Sequence, residues 1–248
     1  DVRLYDWQML VEKWSDPDRH NIPRLTGPPK DPNRKDTPGP FTFRTRSQAQ
    51  RGTFIYEDHG TPWGVVAPNV SFDMAWSMFE KKYDGLAKFT GGTVRIQDFL
   101  PMRTEMTTRF ALDGADVTLP HIDLKTDGAD THVTGHLSFK KWPEQSYTLN
   151  STIDFKRMRE IFFAKETWDV GGTGHFAGVF NLYKDDPRGR DLSGDFTSDL
   201  AHVERLRFSN LHGSLVWLRD RFAVTHADAD FYGGDTRFAY ALEPLGMP

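Results

Sequence analysis

The side chains best suited to chemistry crowd one stretch: His121, Asp123, Asp127, Asp130, His132 and His136. Imidazoles mixed with carboxylates are the ligand set of a divalent metal site. The spacing argues against one. His132 and His136 sit in a run that alternates apolar and polar residues, with Thr134 between them. On a strand both then project from one face about 13 Å apart, at ~3.3 Å per residue. A single ion needs its ligand atoms about 2 Å away, so the preferred reading is a row of histidines on the wet face of a sheet. His226, Asp228 and Asp230 also share a strand face. A calcium loop would need a turn with a placed glycine and a bidentate acid, and neither is present there.

Other reaction chemistries lack their motifs. The chain has no G-x-S-x-G, no P-loop and no G-x-G-x-x-G. Gly171-Gly172-Thr173-Gly174 has the outline of a phosphate cradle, but no lysine follows and a strand comes next. Asp and Glu number 35, so a carboxylate pair for glycoside hydrolysis could be picked almost anywhere, and nothing singles one out. With no cysteine, thiol catalysis, disulfides and cysteine-type zinc sites are all excluded. The expectation is a protein that is not an enzyme and carries no cofactor.

Composition narrows the class further. The net charge of −4 offers no bulk attraction to nucleic acid. A mean hydropathy of −0.59 suits a sheet with one apolar and one wet face. No run of roughly 18 apolar residues is present to span a membrane as a helix. The chain opens at Asp1 in mid-pattern, as a mature product or a piece of something longer would.

Three kinds of element must hold these residues. In residues 1–14, Leu4, Trp7, Leu10, Val11 and Trp14 fall at helical spacing and predict a short amphipathic helix docked on the rest. In residues 15–40, Pro17, Pro23, Pro28, Pro29, Pro32, Pro38 and Pro40 exclude helix and ladder and predict an extended linker. Residues 41–248 then read with a period of two. Val66, Pro68, Val70, Phe72, Met74 and Trp76 form one such set, followed by Met106, Thr108, Phe110 and Leu112. Val133, Gly135, Leu137 and Phe139, then Tyr147, Leu149, Ser151, Ile153 and Phe155, continue it. Lys156 to Trp168 breaks the rhythm, with Met158, Ile161 and Phe162 at the spacing of a short helix. The sum is about fourteen strands and one or two helices, an all-β chain.

A near-repeat punctuates this region. Phe89-Thr90-Gly91-Gly92-Thr93-Val94-Arg95 returns as Phe231-Tyr232-Gly233-Gly234-Asp235-Thr236-Arg237, and Gly171-Gly172 makes a third pair. Glycine tolerates backbone angles that other residues avoid, so these pairs are expected to be corners where a long antiparallel sheet bends strongly. Bent along such corners, the sheet becomes an open groove, taco-like, with its apolar side within. The lining expected from the alternation is Val70, Phe72, Met74, Phe110, Leu112, Leu137, Phe139, Leu149, Ile153 and Phe155.

The run Leu211-His212-Gly213-Ser214-Leu215-Val216-Trp217, then Phe222-Ala223-Val224, then Ala227 to Thr236, resembles the repeat of the AsmA and TamB-like proteins of the bacterial envelope. Gly85-Leu86-Ala87-Lys88-Phe89-Thr90-Gly91-Gly92 is similar to the last part of that repeat. The resemblance covers roughly residues 52–245. It implies a periplasmic, repetitive β-groove that shields phospholipid acyl chains between inner and outer membranes. The inner-membrane tether would lie in a part of the protein not present here. The implied partners are acyl chains, neighbouring repeats of a longer chain and inner- and outer-membrane proteins, with no nucleic acid. A second reading is a carbohydrate-binding or carbohydrate-active β-sandwich with Trp76, Trp142 and Trp217 as a stacking platform. A third is a scaffold for outer-membrane protein assembly.

Overall fold

The computed structural model describes residues 1–15, 21, 44–60, 62–139, 144–183 and 189–244. Fourteen strands form one sheet. They are β1 (Val2–Tyr5), β2 (Gln8–Lys13), β3 (Ser47–Asp58), β4 (Trp63–Ser77), β5 (Lys82–Ile96), β6 (Met102–Asp113) and β7 (Asp116–Thr126). They continue as β8 (Ala129–Ser138), β9 (Gln145–Asp154), β10 (Val170–Leu182), β11 (Arg190–Val203), β12 (Leu206–Leu218), β13 (Phe222–Phe231) and β14 (Gly234–Leu242). One helix, α1 (Phe155–Phe162), lies between β9 and β10. From β3 to β14 each strand pairs antiparallel with its sequence neighbours, and the sheet does not close into a barrel. Twelve steps of about 4.8 Å give the paired path from β1 to β14 a length of roughly 58 Å.

Residues 1–14 are not the helix their spacing suggests. β1 and β2 both lie parallel to β3, with Leu4 opposite Ala49 and Val11 opposite Tyr56. Asp6, at φ 51°, makes the break between them. Trp7 then lies across Gly52, where a Cβ would come within 2.0 Å of its ring. The free edge of β3 supplies backbone partners that no local pattern reveals, and pairing outweighs a five-residue stripe. The expected proline-rich linker falls almost wholly outside the described residues.

The expected alternation is present as strands between Ser47 and Leu242 among the described residues, with one systematic change. Several strands carry an extra residue in the left-handed region: Arg51 (φ 52°), Asn69 (φ 54°) and Gly91 (φ 70°) in β3, β4 and β5. These three lie close in register, and the pairing shifts beside them. Gly172 (φ 114°) and Asn210 (φ 50°) do the same in β10 and β12. A bulge bends its strand and raises the local twist, so bulges aligned on neighbouring strands crease the sheet across the strands. Gly91-Gly92 and Gly171-Gly172 are such corners. Gly233 is not: with Tyr232 (φ 49°) it forms the tight hairpin between β13 and β14. The twin motif therefore serves two purposes.

The bulge at Asn69 also corrects the face assigned to β4. Val65 and Ala67 share a side with Val70, Phe72, Met74 and Trp76, whereas Val66 and Pro68 turn to the other side.

Helix α1 starts where expected. Asp154 caps it by accepting a hydrogen bond from the Arg157 amide at 3.1 Å. Ile161 is fully buried, Phe162 meets Phe99 edge-on at 5.0 Å, and the Leu100 amide donates to the Ile161 carbonyl.

Candidate functional site: the apolar face of the sheet

In-register partners on adjacent strands share a face, so one face can be followed from strand to strand. Phe72 opposes Ala87, which opposes Thr108, which opposes Ile122, then Val133, then Leu149, then Gly178, then Gly194, then Leu215, then Val224, then Tyr240. A parallel row runs from Trp76 through Tyr83, Leu112 and Val117 to Leu137. A third passes through Phe89, Met106, Leu124, Thr131, Ser151, Phe176 and Phe196. One side of the sheet is apolar across its whole width, interrupted by small polar residues.

That side is screened without a second layer over it. Among the described residues strands pack chiefly against their pairing neighbours, and of the strands α1 packs mainly against β10 and β9. Residues of this side alternate half-buried or buried with exposed residues of the other, as in Gln145–Asp154 and Ala129–Ser138. Ala67, Thr108, Ser151 and Ala227 are buried there. Their own face neighbours do the screening, as the inside of a creased sheet requires. Large side chains of the same face remain partly open, among them Trp63, Trp217, Tyr240 and Leu242.

Glycines shape the lining. A Cβ at Gly85 would lie 2.1 Å from Phe110 Cζ, one at Gly135 2.4 Å from Tyr147 Cδ1, and one at Gly174 2.3 Å from Phe155 Cζ. Each ring lies flat over a glycine instead of standing up from the sheet. Phe110 also stacks on Phe72 at 5.4 Å, Tyr147 on Phe180 at 6.4 Å, and Trp76 meets Tyr83 edge-on at 5.0 Å. The result is a low apolar floor that a thin flexible ligand could lie along.

Polar atoms on the floor are mostly tied down. Thr131 and Ser151 bond each other at 2.8 Å, Thr108 donates to the His121 carbonyl, and Ser198 donates to the Thr173 carbonyl at 2.7 Å. Tyr147 donates to Gln145 at 2.6 Å, and burial pushes its hydroxyl above the usual tyrosine pKa. Charged side chains of this face, Lys13 with Asp58 (3.0 Å) and Arg190, lie at strand ends.

The expected lining residues divide clearly. Val70, Phe72, Met74, Phe110, Leu112, Leu137, Leu149 and Ile153 lie together on this face. Phe155 belongs to α1, and its ring reaches the same face over Gly174. Phe139 lies beyond the end of β8 and is exposed. The sequence reading left out Tyr83, Phe89, Ile122, Leu124, Phe176, Phe180 and Phe196, which line the same floor. Phe176 and Phe180 showed the signal, since they alternate through Gly178.

The opposite face is polar. Asp123 accepts from His121 at 2.7 Å and His132 at 2.5 Å, and these bonds, His121 first, hold its carboxyl below the usual carboxylate range. His226 and Arg237 flank Asp228, with the Arg237 bond lowering its pKa most. Arg46 and Gln48 do the same for Asp73.

No family model, curated protein or solved structure matches this chain. The likeness to AsmA and TamB-like proteins rests on the motifs themselves. The proposed sugar platform does not assemble around them: Trp76 and Trp217 stand on strands eight steps apart, about 38 Å along the sheet. Trp142 lies outside the described residues.

Proposed function

We propose that this chain is a non-enzymatic lipid-carrying segment whose creased sheet shelters phospholipid acyl chains along its apolar face. The observation that carries the reading is an apolar face continuous from strand to strand, screened among the described residues by the crease of the sheet and by no second layer. Such a face costs free energy in water unless something covers it. Burying an acyl chain contributes about 0.8 kcal/mol per CH₂, so roughly twelve methylenes offer a gross gain near 10 kcal/mol with no directed hydrogen bond. Half a bilayer core is about 15 Å thick, so the roughly 58 Å path can take several chains in succession. Headgroups would stay at the strand ends, where the charged residues lie. The motif resemblance adds the setting: the periplasm, between inner and outer membranes, with neighbouring repeats and membrane proteins at either end.

The test is the lipid content of the purified protein. Native mass spectrometry should find acyl lipid bound to the wild type, and Phe110→Glu and Leu137→Asp should lose it while far-UV circular dichroism stays that of a β protein. Folded variants with unchanged lipid content, or a wild type that never holds lipid, would sink the proposal.

A further inference from the structure

A second group of titratable side chains stands apart from the apolar face. Glu12 in β2 and Glu57 in β3 are direct partners in the parallel pair, and His59 follows β3. Like charges placed opposite each other destabilise a strand pair. Among the described residues the only cationic partner of either glutamate is His59.

The geometry differs from every other histidine–carboxylate contact described. His121, His132, His202 and His226 each meet an aspartate at ordinary hydrogen-bond length, 2.7, 2.5, 3.1 and 2.5 Å. His59 Nε2 instead stands 3.5 Å from Glu12 Oε1 and 3.9 Å from Glu57 Oε2. One ligand atom from each of the three lies within 4.8 Å of the others. Zinc bonds imidazole nitrogen and carboxylate oxygen at about 2.0–2.2 Å, so ligand atoms around a tetrahedral ion are about 3.4 Å apart. The two His59 contacts are longer than the other histidine–carboxylate bonds and lie within about half an ångström of the separation that a shared tetrahedral ion imposes.

The three groups are also held from behind. The His59 ring stacks on Trp14 at 5.0 Å. Asn21 fixes the outer edge of β2, accepting from the Glu12 amide at 2.6 Å and donating to the Leu10 carbonyl at 2.9 Å. Side-chain exposures of 42%, 27% and 40% for His59, Glu12 and Glu57 leave the site open to solvent for entry and for a water as fourth ligand.

We propose that Glu12, Glu57 and His59 bind one divalent cation of the zinc type, which neutralises the facing glutamates and fastens β2 to β3. An imidazole among the ligands favours zinc over calcium or magnesium, which take oxygen ligands. The test uses the full chain, free of any histidine tag and stripped with chelator, titrated with zinc chloride by calorimetry. One zinc per chain is expected. Glu57→Gln, which keeps the side-chain size, and His59→Ala should each weaken binding at least about tenfold, the lower end of the loss on removing even an outer-sphere partner. His132→Ala should leave it unchanged. On the wild type, zinc should protect His59 but not His226 from diethylpyrocarbonate, a readout that needs no variant to fold. Absence of saturable binding, equal loss in His132→Ala, undiminished binding in both site variants, or unprotected His59 would each overturn the assignment.

Discussion

Gly85→Ala probes the floor of the apolar face most directly. The new methyl would lie 2.1 Å from Phe110 Cζ, where contact between carbons needs about 3.5–4 Å. The ring must move by well over 1 Å and leave its 5.4 Å stack on Phe72. Overpacking of this kind costs about 1–3 kcal/mol, which for a chain of this length lowers Tm by about 2–4 °C per kcal/mol. The same substitution made in Phe110→Ala meets no ring. There it only removes the entropy cost of a strand glycine, a gain of about 0.5–1 kcal/mol. The effect of Gly85→Ala therefore reverses sign between the two backgrounds, a coupling of at least about 1.5 kcal/mol in a double-mutant cycle. Urea unfolding of the four proteins, followed by circular dichroism, measures it. Equal effects of Gly85→Ala in the presence and absence of Phe110 would refute the ring-over-glycine geometry.

Two further expectations follow from the polar parts of the structure. Asp73, Asp123 and Asp228 have carboxyl pKa values held down by their partners, against about 3.9 in the unfolded chain. A depressed native pKa stabilises the fold above the unfolded value and the gain fades as pH falls through the native one. The urea midpoint should thus fall below about pH 4, and less steeply in Asp123→Asn; a midpoint that rises on acidification would contradict it. Asp154→Ala removes the cap of α1 and should cost about 1 kcal/mol, read from the same unfolding curves. Because Phe155 is the first residue of α1 and its ring lies on the floor over Gly174, bound lipid should also fall in that variant.

The period-two reading located the strands well where one face is wet. β6, β8 and β9 alternate without interruption through Thr108, Val133 and Leu149, and eight of the ten lining residues fall where the alternation puts them. It failed where a single backbone angle changes the parity. Asn69 in the left-handed region swaps Val66 for Val65, and the asparagine after Pro68 was the available signal. It failed again at β1 and β2, whose structure is decided by the edge of β3 rather than by their own residues. Phe139 is misplaced because alternation says nothing about where a strand stops. The glutamate–histidine group was invisible for a related reason: Glu12 and Glu57 meet only through a parallel register between segments distant in sequence.

The strictly sequential strand order has a consequence for how the molecule comes to exist. From β3 onward every strand finds its partner in the segment just synthesised, across a short connection everywhere except β9 to β10, where α1 intervenes, so closing each new pair costs little chain entropy. The sheet can lengthen behind the ribosome one hairpin at a time, with a new growing margin after each addition. β1 and β2 obey a different clock. They are made before β3 and have nothing to pair with until Ser47–Asp58 follows. Val2, Leu4 and Met9 stay unpaired in that interval, so these two strands must wait for a later segment before they are secured.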